Sequence, residues 1–209
     1  MNPPLGPEGF ARIFPVSRET LARLEAYAEL LIRWSARINL VGRDTLPDLW
    51  RRHILDSAQL RHFLPDSARS LIDLGSGAGF PGLVLAILGV PGVELVEADS
   101  RKSAFLREAA RITAAAVTLR PRRIQAVLPH PVDVVTARAC APLPRLLEFA
   151  QPFLASHTIC LFPKGERFAE ELTLAREGWT MQASVEQSLS DRRGVILCLH
   201  KVAREPRQS

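Results

Sequence analysis

Long apolar runs are missing from this 209-residue chain. The best candidate, roughly residues 79–96, is interrupted by prolines and glycines and carries Glu94. A membrane span, which needs about 20 consecutive apolar residues, is therefore not expected. Cysteine is scarce: Cys140, Cys160 and Cys198 are odd in number and far apart. That excludes a disulfide framework and fits reduced, mostly buried thiols, so a cytoplasmic protein is expected. The five histidines lack metal-ligand spacing, and no structural or catalytic metal is expected. Met1-Asn2-Pro3-Pro4-Leu5 has neither a basic start nor an apolar signal core, so no secretion signal is expected. No internal repeat or low-complexity tract stands out.

What is present suits one globular domain. The chain is 47% apolar, and its length allows a core that folds without disulfides or metals. A net charge of +5 gains interest from its clustering: Arg51-Arg52-His53, Arg101-Lys102, Arg120 with Arg122-Arg123, and Arg192-Arg193. Such pairs suit phosphate contacts on nucleic acid; solvated surface arginines explain them equally well.

Ser17 reads as a helix N-cap, followed by apolar residues at helical spacing: Leu21, Leu24, Ala28, Leu31 and Ile32. A second helix is expected from about residue 46 to 63, ended by Pro65. These helices form an extension over about residues 17–65. A core over about residues 68–201 completes a single domain of residues 1–209. In the core, strands are expected near residues 70–74, 92–97, 117–119, 132–136 and 158–162. Helices are expected after the glycines as far as Leu88, over 101–115 and over 143–153. Two further strands, 180–185 and 194–199, have no helix between them. Alternating strands and helices predict a doubly wound α/β fold, its sheet mostly parallel, with an antiparallel hairpin at one edge.

The segment Asp73-Leu74-Gly75-Ser76-Gly77-Ala78-Gly79-Phe80-Pro81-Gly82 follows the first strand and opens a helix. Gly75, Gly77 and Gly79 permit positive φ and close backbone approach to a ligand. Glu97 ends the next strand, where a carboxylate accepts from ribose hydroxyls. A nucleotide-like ligand is the sharper expectation; a purely structural turn is the plainer one. Asp73 ahead of the glycines would repel a pyrophosphate and suits an ammonium instead. That favours S-adenosylmethionine over a dinucleotide.

Three segments together resemble a known family: residues 73–82, Val134-Val135-Thr136-Ala137-Arg138-Ala139 and Phe162-Pro163-Lys164-Gly165. It is the bacterial small-subunit (16S) ribosomal RNA guanine-N7 methyltransferase family, also known as glucose-inhibited division protein B. Trp34-Ser35-Ala36-Arg37-Ile38-Asn39-Leu40-Val41, Arg52-His53-Ile54-Leu55-Asp56-Ser57 and Asp191-Arg192-Arg193-Gly194-Val195-Ile196 extend the resemblance over about residues 26–201. It implies a Rossmann-like class I methyltransferase sheet, S-adenosylmethionine as cofactor and the small ribosomal subunit as partner. A monomer without membrane association is expected. It further implies cofactor contacts from Gly75, Phe80, the pair Ile124-Gln125 and Arg138. Family members often carry glutamate where this chain has Gln125; an amide oxygen still accepts from an adenine amino group.

Guanine N7 is a lone-pair nucleophile without a proton, so no general base is required. Arg138 and Lys164 follow the ends of the fourth and fifth strands, the rim where ligands bind in such sheets. Arg138 is assigned to the cofactor and the base, Lys164 to the RNA phosphate or base edge, and surface charges near helix starts are the alternative for both. Arg51, Arg52, His53, Arg123, Arg192 and Arg193 are candidates for RNA backbone contacts. Cys140, between alanines and before Pro142, reads as a packed thiol. His53 and Asp56, three apart, are placed to hydrogen-bond on one helix face. Methylation of protein or a small molecule, an RNA-binding protein with a vestigial pocket, and a nicotinamide oxidoreductase are the competing readings.

Overall fold

The structure, a computed structural model, describes residues 3–205. Met1 and Asn2, which open the segment read for a secretion signal, lie outside the described residues, as do residues 206–209. Two helices lead, α1 (Pro7–Ile13) and α2 (Arg18–Ser35). Ser17 caps α2, its hydroxyl accepting from the Thr20 amide at 3.1 Å. Leu24, Ala28 and Leu31 are buried, whereas Ile32, expected on the same face, is 52% exposed.

The single helix expected over residues 46–63 is instead a series of short windings. They are a 3-10 helix (Arg43–Asp48), a π turn (Trp50–Leu55), α3 (Asp56–Ala58) and a second 3-10 helix (Gln59–Phe63). Pro47 has no amide to donate, and the π turn buries His53, Ile54 and Leu55 in succession. α1 and α7 below were not foreseen, because seven or eight residues are too few to display a helical repeat.

Seven strands follow: β1 (Leu71–Leu74), β2 (Val93–Val96), β3 (Val117–Arg120), β4 (Val134–Thr136), β5 (Ile159–Lys164), β6 (Trp179–Gln187) and β7 (Val195–Arg204). They are interleaved with α4 (Gly82–Ile87), α5 (Ser100–Thr113), α6 (Leu143–Ala150) and α7 (Phe168–Ala175). The sheet order is β3-β2-β1-β4-β5-β7-β6. β1 to β5 pair in parallel; β7 runs antiparallel to both β5 and β6. This is the doubly wound α/β sheet expected, with its helix-free hairpin at one edge.

Side chains alternate across the strands, so neighbouring residues enter different cores. Leu71, Leu95, Val134, Leu161 and Ile196 join one cluster with α1, α2, α4 and α5. Ile72, Leu74, Val96, Val135, Cys160, Phe162 and Leu197 join another with α6 and α7. The N-terminal helices thus share a core with one face of the sheet. Strand order reverses beside β1, between β2 and β4, which places the crevice outside the carboxyl ends of β1 and β4.

Candidate active site

Two crevices open at that rim. The smaller, about 360 Å³, is lined by residues 75–78 and Phe80 from the loop after β1, by residues 40–42, and by Lys102, Arg138 and Ala139. The larger, about 520 Å³, lies among the loop after β4, the end of β5, residues 52–56 and the turn between β6 and β7. His53, Arg138 and Ala139 line both, so one wall is shared.

The glycine loop is held from several sides. Gly75, Gly77 and Gly79 all adopt positive φ, at 68°, 58° and 97°. The Ser76 amide donates to the Val96 carbonyl, and the Gly77 amide to Glu97 Oε2 at 2.8 Å. Glu97 Oε1 accepts from the Asp99 amide at 2.7 Å, so this carboxylate ties the loop to the start of α5. Tyr27, from the buried face of α2, donates its hydroxyl to the Ala78 carbonyl at 2.6 Å. Sequence reasoning missed Tyr27. Its signal was available: the only tyrosine of the chain sits at core spacing, and a buried phenol needs a partner.

Asp73 is fully buried at the end of β1 and lines neither crevice. Its Oδ1 accepts from Thr136 Oγ at 2.9 Å and its Oδ2 from the Gly82 amide at 3.2 Å. The ammonium partnership argued from its place before the glycines is therefore not one its side chain is placed to make. Asp73 instead joins β1, β4 and α4. Burial pushes its carboxyl up to about 6, against hydrogen bonds from Ser76, Thr136 and Gly82 and the charge of Arg138.

Phe80 forms the floor of the shared wall. Its ring stacks on His53 at 5.0 Å between centroids, and the Arg138 guanidinium carbon lies 4.8 Å from its centre. Arg138 Nη1 donates to the Arg52 carbonyl at 3.1 Å and pairs with Asp56 Oδ2 at 3.3 Å. Asp56 Oδ1 accepts from Ser190 Oγ at 2.6 Å and from Gln59. Gln59 Oε1 in turn accepts from the Leu189 amide at 2.7 Å. Asp56 is thus the hub between the β6–β7 turn and Arg138. It does not bond His53, because the π turn carries the two side chains apart.

His53 departs from its expected part in phosphate binding. It is buried, and burial, with Arg138 and Arg52 nearby, lowers its pKa to about 3, so it carries no charge for RNA. Its Nε2 lies 2.7 Å from Thr45 Oγ, whose own proton goes to the Gly42 carbonyl at 2.7 Å. Nε2 is therefore the donor. This arrangement has a pH signature. Unfolding restores the ordinary affinity of His53 for a proton, so acidification below about pH 6.5 favours the unfolded chain. Asp73, which holds its proton more tightly when folded, acts oppositely between about pH 6 and 4. His53→Phe should lose roughly 2 kcal/mol less stability than the parent between about pH 7 and pH 5. Urea unfolding at the two pH values checks this, and equal losses would contradict it.

Lys164 lines the larger crevice, its Nζ 2.8 Å from Glu171 Oε2 and 3.1 Å from the Ala141 carbonyl. Cys140 lines it too, packed against Gly75; burial raises its thiol pKa, so it is a poor nucleophile. Ile124 and Gln125 sit on a 3-10 turn after β3 and line neither crevice. Arg51 pairs with Asp48 at 3.2 Å, Arg52 with Asp191 at 2.8 Å and Arg193 with Glu166 at 3.2 Å. Arg123 and Arg192 are exposed. Arg51, Arg52, Arg192 and Arg193 gather around one cavity beside the larger crevice; Arg123 lies apart from it.

A family model described as rRNA small subunit methyltransferase G, GidB, matches residues 20–196. The chain belongs to this family. Its relatives include the ribosomal RNA small subunit methyltransferase G of Paramagnetospirillum magneticum, 56% identical over 96% of this chain and 98% of that protein. That of Rhodospirillum rubrum is 59% identical over 95% of this chain and 98% of that protein. Among solved structures, a mutant of MtNAS in complex with S-adenosylmethionine superposes with a TM-score of 0.59 at 14% identity, covering 94% of this chain and 84% of that one. A TehB-like SAM-dependent methyltransferase from Corynebacterium glutamicum gives 0.55 at 14% identity, covering 86% and 98%. At such identities the two structures establish the class I methyltransferase fold. Membership of the methyltransferase G family rests on the sequence relatives.

Proposed function

We propose that this protein is an S-adenosylmethionine-dependent methyltransferase that modifies N7 of a guanine in 16S ribosomal RNA of the small subunit. It acts as a cytoplasmic monomer whose helical extension and sheet form one domain. The observation that carries this is Arg138, among the described residues the one cation shared by the two crevices, held by Phe80, Asp56 and the Arg52 carbonyl. The relatives' names supply the RNA, and the family resemblance supplies the base and atom.

The cofactor's fit is supported by Gly77. The nearest heavy atom to a Cβ built there is the Gly75 carbonyl oxygen at 3.8 Å, so the glycine leaves a space that a ligand can fill. Residues 75–78, Phe80 and Arg138 would hold the group, the arginine's remaining N–H donors suiting a carboxylate. Glu97 is buried and lines neither crevice, but it holds the Gly77 amide at the edge of the smaller one, and each of its oxygens has a lone pair left for a ribose hydroxyl. When bound, the cofactor supplies a methyl group already activated on a sulfonium.

The chain's own residues then have positioning work. Lys164, anchored by Glu171, retains a third N–H for a base edge or phosphate. Arg52, Arg192 and Arg193 offer charge to the flanking backbone. N7 carries no proton, so neither the neutral His53 nor the protonated Cys140 has to remove one. Alignment and exclusion of water are what remain for the site to provide.

Incubation with methyl-tritiated S-adenosylmethionine and small subunits, naked ribosomal RNA or protein extract tests this. Label recovered as 7-methylguanosine from 16S RNA is expected. Absence of label from every RNA would sink the proposal; label in protein would assign the site to another acceptor. RNA binding without methyl transfer would mark a vestigial pocket.

A further inference from the structure

A cavity of about 640 Å³ lies where the end of α2 meets the start of α5. The two helices pack antiparallel: Arg23 reaches the Thr113 carbonyl at one end, and Trp34 meets Phe105 edge-on at 5.6 Å towards the other. Half-buried Trp34, Ile38 and Ala104 make its apolar floor, and exposed Arg33, Arg37 and Arg101 make its rim. It adjoins the smaller crevice, since Ile38 precedes residues 40–42 and Arg101 precedes Lys102.

This groove is cationic, and of its three arginines Arg101 alone lies near a carboxylate. Among the described residues, no Asp or Glu lines it, and Arg33 and Arg37 make no ion pair. Arg101 reaches Asp99 only at 4.0 Å and its side chain is 72% exposed. Arg101 and Lys102 also occupy the first turn of α5, the positive end of the helix, where cations are disfavoured. Helix stability gains nothing from them there; a polyanion would. A second copy of this chain, itself at +5, would bring more positive charge to the groove.

Resting on the RNA function proposed above, we infer that the α2–α5 groove is a second contact surface for the RNA substrate. It takes an unpaired segment whose bases lie on Trp34 and Ile38 and whose phosphates meet Arg33, Arg37 and Arg101. The two crevices then lie between two arginine clusters, this one and that of Arg51, Arg52, Arg192 and Arg193. An RNA strand engaged at both ends would be held across the site. Aromatic stacking with a cationic border is the usual means of gripping unpaired nucleotides without reading their sequence.

The triple variant Arg33→Gln, Arg37→Gln, Arg101→Gln alters only exposed side chains outside both crevices, so S-adenosylmethionine affinity should be unchanged. Its binding to 16S RNA, titrated against salt, should show a log–log slope shallower by about 2 and affinity lower by about tenfold near 0.15 M. Trp34→Leu keeps an apolar side chain against Phe105 and should weaken binding about tenfold with the slope unaltered. Arg192→Gln with Arg193→Gln is the reference variant. If it flattens the slope while the triple variant binds as the parent does, the groove inference is overturned and the RNA function stands. If neither variant changes binding and the parent shows no salt dependence, the RNA function itself fails. A dimer in sedimentation that the triple variant abolishes, with RNA binding intact, would also overturn the inference.

Discussion

Gly77→Leu should leave the protein folded and weaken S-adenosylmethionine binding at least about a hundredfold, whereas Gly82→Ala should damage the fold itself. Gly77 has φ 58°, where a non-glycine residue costs roughly 1–2 kcal/mol. Its Cβ would stand clear of other atoms, and its amide keeps its bond to Glu97. The added side chain therefore grows into the space assigned to the cofactor. At Gly82 the same atom would lie 2.5 Å from Leu95 Cδ2 and 2.7 Å from Asp73 Cβ, both buried. Relieving that overlap moves β1, β2 or α4, at a cost of about 1–3 kcal/mol or more. Calorimetric titration and chemical unfolding of both variants separate the two effects. Cofactor affinity near the parent's in Gly77→Leu would remove the loop from the site.

Arg138→Ala should reduce kcat by about two to three orders of magnitude in a folded protein, the usual effect of deleting one positioned donor from a charged site. Arg138 pairs with Asp56, whose other oxygen holds Ser190, so its loss loosens the wall between the crevices as well as removing a charge. Arg138→Lys keeps the charge and loses the fork, and should recover only part of the rate. An NMR titration supplies an independent reading: Arg138 helps depress the His53 pKa, which should rise in Arg138→Ala. Unchanged turnover would strip Arg138 of its role.

Much of this was legible beforehand because period-two and glycine signals are local. The strand–glycine–helix unit, Glu97 after β2 and the final hairpin follow from neighbours in sequence. What escaped depends on distant partners. Asp73 reads as a ligand group because nothing nearby discloses Thr136, 63 residues on, or its own complete burial. His53 reads as a surface cation within Arg51-Arg52-His53 until the π turn rotates it under Phe80. Asp56 could not be seen as a hub, since Arg138 and Ser190 approach it from 82 and 134 residues away.

Those long separations also set an order of assembly. Every residue lining the smaller crevice lies at or before Ala139, while the larger one is completed only by residues 188–195. A chain made from its N-terminus thus has all the residues of the smaller crevice some fifty residues of synthesis before those that complete the larger one. The late hairpin, clasped to Asp56 and Gln59 by Ser190 and Leu189, acts as a keystone. Until it is seated, the larger crevice lacks the wall that residues 188–195 supply.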